Sequence, residues 1–161
     1  MDLRDRSWSF NDPLSQSGYG ITRYHMVSIG EIDGFFSEVI NAGFHEESIR
    51  MVADGRVDAS AIDSQVLAIE MRDQPELSDR RKIIDSVGPS TIQPVAVSKR
   101  FDQRSRNTVR DVLIEFDKTP GGRDMLALGT VERWVGAEPA DYDDIRRMVE
   151  ACEAADFMEI R

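Results

Sequence analysis

Short strand-like stretches alternate with helix-patterned ones along this chain, punctuated by glycine, proline and aspartate. Residues 6–10 (RSWSF) read as a strand running into an Asn11-Asp12-Pro13 turn. Ile21, Tyr24 and Val27 then recur at helical spacing, which predicts a helix over residues 17–28 that Gly30 and Gly34 break. Residues 35–40 (FFSEVI) are strand-like. Ile49, Val52 and Ala53 share one face of a helix predicted over residues 45–53, with Gly55 after it. Residues 57–62 (VDASAI) form the next strand candidate, followed by a helix over about 64–72.

The stretch RRKIIDSVGPSTIQPVAVSKR reads as two strands around a Gly-Pro-Ser turn. Val109, Val112, Leu113 and Phe116 then repeat at i, i+3, i+4 and i+7, a helix period. Ile145, Met148, Val149 and Cys152 do the same behind Asp141, Asp143 and Asp144, acids that suit a helix N-terminus. Alternating strands and helices argue an α/β fold. The sequence contains no internal repeat, low-complexity tract or long linker.

Length and composition narrow the class. A chain of 161 residues suffices for one domain or two small lobes sharing a hinge. At this size about 70% of the unfolded surface is buried on folding, so neither disulfides nor a metal are needed for a core. An apolar content of 40% beside 31% charged residues belongs to a soluble globular protein. The formal charge is −10, from 30 acidic and 20 basic residues. Such a surface repels nucleic acid and anionic lipid, so neither is an expected partner. Any anion site must then be local, built from dipoles and hydrogen bonds. Cys152 is the one cysteine, which excludes an intrachain disulfide. The opening MDLRDRSWSF lacks the apolar core of a signal peptide, and no run is long enough to span a membrane. Taken as written, the chain is expected in the cytoplasm.

Two helix starts carry the candidate chemistry. Ser15, Ser17 and Gly18 lie where a strand runs into a turn and then a helix, a place where α/β folds hold anions. Their hydroxyls can equally cap the helix. Gly18 removes a side chain and lets a ligand approach the backbone. His45, at the next helix start, could offer a ring N–H to a ligand oxygen, although Glu46 and Glu47 beside it oppose a second anion and favour a protonated ring. Asp63 and Ser64 fall where the third strand meets its helix. Asp63 reads as an N-cap, or as an acceptor for a ligand ammonium or hydroxyl. His25 reads as a half-buried helical residue, and Cys152, on an apolar stripe, as an inert core thiol. Phosphate loops, dinucleotide fingerprints, nucleophile elbows and zinc-protease signatures are all absent. Two histidines and one cysteine are too few for a convincing zinc site, and no cofactor is implied.

Taken together, DLRDRSWSFNDPLSQSGYGITRYHM, GFHEESIRMVADGRVDASAIDSQVLA and VGPSTIQPVAVSKR resemble the phosphate/phosphonate substrate-binding proteins of ABC transporters. That family carries, in the same order, a D-L-R-G-x-x-W/F-A-x-N-like segment, an S-x-S-G turn, a G-S-H-like turn, a V-A-x-G-x-x-D-A-like stretch and a G-P-S/T-P-like crossover. The resemblance runs from about Asp2 to about Met148. It implies a type II periplasmic-binding-protein-like fold, with ligand clasped between two lobes. It places the oxyanion on Ser15, Ser17 and Gly18, with Gln16 at the variable position between, and on His45. Less surely, it places a further polar contact at Asp63, Ser64 or Gln65. Family members are longer at the N-terminus, so this chain is expected to hold the second lobe plus the returning part of an incomplete first. On that basis residues 1–62 would form the ligand-binding lobe, and residues 63–161 the hinge and C-terminal helices of the other lobe. Phe44 stands where a small residue is common, which would alter the rim near His45.

The function so implied is non-catalytic binding of a small oxyanion, phosphate or phosphonate, with no metal, for an ABC permease outside the cytoplasm. Unpaired sheet edges and an uncovered apolar face would favour a homodimer. Two other classes stay open. One is a cytoplasmic regulatory or interaction domain descended from the transporter fold. The other is an enzyme or binder handling a thiamine-precursor-like ligand on a related fold.

Overall fold

A computed structural model describes residues 2–160. By internal contacts the chain divides into one unit of residues 1–90 with 143–161, and a second of residues 91–142.

The first unit is built on a parallel sheet of order β2-β1-β3, with β1 at Ser7–Phe10, β2 at Glu38–Asn41 and β3 at Ala59–Ser60. Ser7 to Phe10 pair with Glu38 to Asn41 in register, and Trp8 and Ser9 pair with Ala59 and Ser60 on the other side. Parallel neighbours require crossovers, and helices supply them. A π-helical turn at Gln16–Gly20 and α1 (Ile21–Ile29) lead from β1 to β2. α2 (His45–Ala53) leads from β2 to β3, and α3 (Ser64–Asp73) follows β3. α/β organisation is therefore what the chain adopts.

Alternation along β1 explains its two faces. Trp8 and Phe10 point into an aromatic core with Tyr19, Phe36 and Phe157, joined by Met26, Ala59 and Ile160. Trp8 stacks on Phe10 and Phe36 with ring centroids 5.6 and 5.3 Å away. The C-terminal end of the chain closes this core: the Ile160 N–H donates to the Tyr19 hydroxyl at 3.1 Å. Ser9, fully buried, faces the other way, and its small size permits close approach of a helix; α2 packs on β1 and β3.

Several expected elements shift. The strand of residues 35–40 starts at Glu38, because Phe36 is drawn into the stack on Trp8 and Phe35 packs edge-on against it. The strand of residues 57–62 shrinks to Ala59–Ser60. Its neighbour Asp58 is engaged instead with Ser7, accepting from the Ser7 N–H and hydroxyl, each at 2.9 Å. The helix expected from Ser17 begins one residue earlier as a π-helical turn, and α1 proper starts at Ile21 and ends on Gly30 in the left-handed region. α2 and α3 fall where the periodicity puts them.

The two strands expected around Gly-Pro-Ser are absent among the described residues. Residues 81–98 run without strand pairing, leaving Ile83, Ile92 and Val95 exposed. β-branched residues favour an extended chain, but a strand needs a neighbour to bond.

The second unit holds α4 (Gln103–Ile114), capped by Asp102, and α5 (Gly122–Leu128), a helix not expected from periodicity. Val109 and Val112 on α4 are exposed, so the apolar stripe of this helix is only partly covered. α6 (Asp143–Ala154) returns to the first unit and packs on α1, burying Met148 and Cys152.

Candidate functional site

All the candidate residues in the first unit lie just beyond the C-terminal ends of its three parallel strands. Residues 11–18 follow β1, His45 begins the helix after β2, and Asp63 and Ser64 follow β3. In open parallel sheets the crevice outside the strand ends, where neighbouring connections leave in opposite directions, is the usual ligand position. Order β2-β1-β3 creates that situation beside β1.

The turn after β1 is held from within. The Ser15 carbonyl accepts from Tyr19 and Gly20, at 3.2 and 2.8 Å, and its hydroxyl accepts from the Gly18 N–H at 3.2 Å. Ser15 thus acts as a cap. Ser17, the next hydroxyl, turns outward from the helix and stands with its Oγ 3.4 Å from His45 Nε2. Gln16 points elsewhere: its Nε2 approaches Met148 Sδ at 3.2 Å. Neither the turn nor α1 carries an acidic residue in its first turn, which leaves the positive end of the dipole unneutralised.

His45 is 8% exposed, and its Nδ1 is buried without a hydrogen-bond partner. Burial holds its pKa below the ordinary histidine value, while the charges of Asp63 and Glu46 pull the other way. The ring is therefore mostly neutral near pH 7. α3 packs on α2, so the connection after the third strand lies beside the helix that carries His45. Asp63 itself caps α3, accepting from the N–H groups of Gln65 and Val66 at 2.8 and 3.3 Å. Ser64 is exposed at the first position of that helix.

Gly18 is explained by protein rather than by open space. A Cβ there would lie 2.1 Å from Asn11 Oδ1 and 3.0 Å from His45 Cε1. Asn11 is the residue that sequence reasoning left in the turn without a role. Its Oδ1 is buried and unpartnered, as are the hydroxyls of Ser9 and Ser48. The available signal was its place directly after a strand, next to Asp-Pro. Two exposed apolar side chains border the cluster in sequence, Leu14 at 94% and Phe44 at 73% exposure.

Elsewhere, His25 is half-buried on α1, as its spacing implies, and its carbonyl accepts from the Ser28 hydroxyl. Cys152 is 1% exposed, and burial pushes its thiol pKa up. No group of three or more potential metal ligands converges among the described residues. No helix there is long and apolar enough to cross a membrane.

The family model described as 'ABC transporter, phosphonate, periplasmic substrate-binding protein' matches residues 1–142. Among solved structures, PhnD1 from Prochlorococcus marinus in complex with methylphosphonate superposes with a TM-score of 0.72 at 20% identity, over 94% of this chain and 58% of that one. A binding protein component of an ABC phosphonate transporter from Pseudomonas aeruginosa gives a TM-score of 0.80 at 18% identity, over 96% of this chain and 52% of that one. No curated protein matches. The chain thus spans a little more than half the length of the two solved proteins and shares their periplasmic-binding-protein fold. It belongs to the phosphonate substrate-binding proteins of ABC transporters.

Proposed function

We propose that this chain binds a small oxyanion of the phosphonate or phosphate type, without chemical conversion, as a solute-binding component serving an ABC permease. The observation that supports the reading is the convergence of Ser17, Gly18 and His45 outside the strand ends, with Ser17 Oγ 3.4 Å from His45 Nε2. The turn of Gln16–Gly20 and the first residue of α2 meet there, and neither that turn nor α1 carries an acid in its first turn. A net charge of −10 makes such a shielded, dipole-built site necessary for an anion.

In this reading the hydroxyl of Ser17 and the His45 ring hold the oxyanion, Gly18 lets the turn pack close to the ring, and Ser15 shapes the turn. Asp63 retains capacity to accept from an ammonium on the ligand, since a carboxylate offers more lone pairs than its cap consumes. Ser64 lies beside it, and Gln16 contributes shape rather than contact. The ligand-binding lobe is then the unit of residues 1–90 with 143–161, which carries the whole cluster. Methylphosphonate, the ligand held by the Prochlorococcus protein, is the natural first probe. Saturable calorimetric binding of methylphosphonate or phosphate, weakened in Ser17→Ala, supports the reading. A folded chain that binds neither sinks it.

A second reading rests on one observation, the exposure of Ile83, Ile92 and Val95 along residues 81–98, which form no strand. It makes the chain an interaction domain that associates with itself through free strand edges. Concentration-dependent dimerisation without oxyanion affinity would select it.

A further inference from the structure

We propose that Asn11 is a positioning residue of the oxyanion site: its carboxamide, wedged against Gly18 beside His45, sets how Ser17 and the His45 ring stand to one another. The inference rests on the oxyanion reading above and adds to it the part that keeps the site in shape.

Asn11 is fixed from behind by the sheet. It follows Phe10, the last residue of the central strand, whose carbonyl accepts from the Ala42 N–H at 2.8 Å and whose Cα pairs with Asn41. A side chain on that backbone cannot drift far. A Cβ on residue 18 would lie 2.1 Å from its Oδ1 and 3.0 Å from His45 Cε1, so both groups border the space that Gly18 leaves. Carboxamide and imidazole thus both abut Gly18, and Ser17 is carried by the same turn. Displacing Asn11 must change the 3.4 Å approach of Ser17 Oγ to His45 Nε2.

The chemistry of the side chain also matters. Oδ1 is buried and has no donor, so a hydrogen bond within the protein does not account for asparagine here. The carboxamide has the shape of a carboxylate without its charge. Glu46 on α2 and Asp63 at the start of α3 already act on His45. A third carboxylate, touching the place where Gly18 meets the ring, would draw a proton onto His45 and repel an oxyanion. Asparagine fills the space and leaves the site open to an anion.

The test compares wild type, Asn11→Asp and Asn11→Ala by methylphosphonate calorimetry from pH 5 to pH 8, with the His45 ring followed by NMR. Melting curves first establish that each variant folds. For Asn11→Asp the expected result is affinity reduced by about tenfold or more at pH 8 and largely recovered near pH 5, with the His45 midpoint raised. For Asn11→Ala it is a pH-independent loss of a similar order, with altered ring shifts. Wild-type affinity in both variants overturns the proposal. So does a loss in Asn11→Asp that is the same at every pH with an unmoved His45 midpoint, since general misfolding would give that pattern. If Asn11→Asp does not fold, the Asn11→Ala affinity and ring shifts decide alone, unchanged values overturning it. If wild type binds no methylphosphonate, the oxyanion reading has failed. The ligand-free His45 midpoint then decides the placement of Asn11: raised in Asn11→Asp it stands, unmoved it falls.

Discussion

Ser17 Oγ and His45 Nε2 approach to 3.4 Å across 28 positions of sequence, tying the turn after β1 to the first residue of α2. At that distance the hydroxyl and the neutral ring share a long hydrogen bond, and each helps to orient the other. Both sit on a parallel sheet whose central strand is paired on both sides, so the geometry is inherited from a rigid element.

Ser17→Ala removes one hydroxyl from this pair and leaves the turn's own bonds, which come from Ser15. Loss of one hydrogen bond to a charged ligand costs about 1.5–3 kcal/mol, or about 10- to 150-fold in affinity. Calorimetry with methylphosphonate should show that loss with little change in melting temperature. An unchanged dissociation constant would leave Ser17 outside the site.

His45 makes binding pH-linked. Burial lowers its pKa, so the unfolded chain takes up the proton more readily than the folded one. Stability therefore rises with pH through the histidine range and falls as pH drops below the ordinary histidine value. An anion beside the ring favours the protonated form, so oxyanion binding should be accompanied by proton uptake near pH 7. Titrations in buffers of different ionisation enthalpy measure it; a buffer-independent heat would contradict it.

Gly18→Ala should destabilise the protein by about 1–3 kcal/mol, because the new Cβ meets Asn11 Oδ1 at 2.1 Å. In an Asn11→Ala background most of that cost should vanish. Equal costs in the two backgrounds, read by urea denaturation, would show that the strain lies elsewhere.

Asp58 holds the starts of β1 and β3 together. Its carboxylate accepts from the Ser7 N–H and hydroxyl, and these bonds keep its pKa below the usual carboxylate range. The contribution is present above that range and is lost as pH falls through the lowered value. Asp58→Asn should lower the melting temperature at pH 7, and the difference from wild type should narrow in acid. A difference that does not narrow in acid would refute the linkage.

Phe157, 1% exposed, is the C-terminal plug of the aromatic core around Trp8 and Tyr19. Phe157→Ala should cost about 3–5 kcal/mol. Chemical denaturation measures it, and a cost below about 1 kcal/mol would mean that the tail does not belong to the core.

Local pattern determined much of this protein. The helices beginning at His45 and Ser64 follow from their apolar spacing and flanking turns, because helix signals lie within a few residues. The capping chemistry of Ser15 and Asp63 was legible for the same reason, and so were the family motifs. Only the tertiary structure decided the rest. Residues 35–37 left the strand because the aromatic core claimed Phe36, and the Gly-Pro-Ser stretch stayed unpaired because strand formation depends on a neighbour that sequence alone does not supply. That Ser17 meets His45, and that Asn11 fills the space Gly18 leaves, are facts of strand order β2-β1-β3. Parallel pairing brings three distant strand ends to one edge, and such long-range closure is set by the packing of the whole first unit rather than by any local stretch.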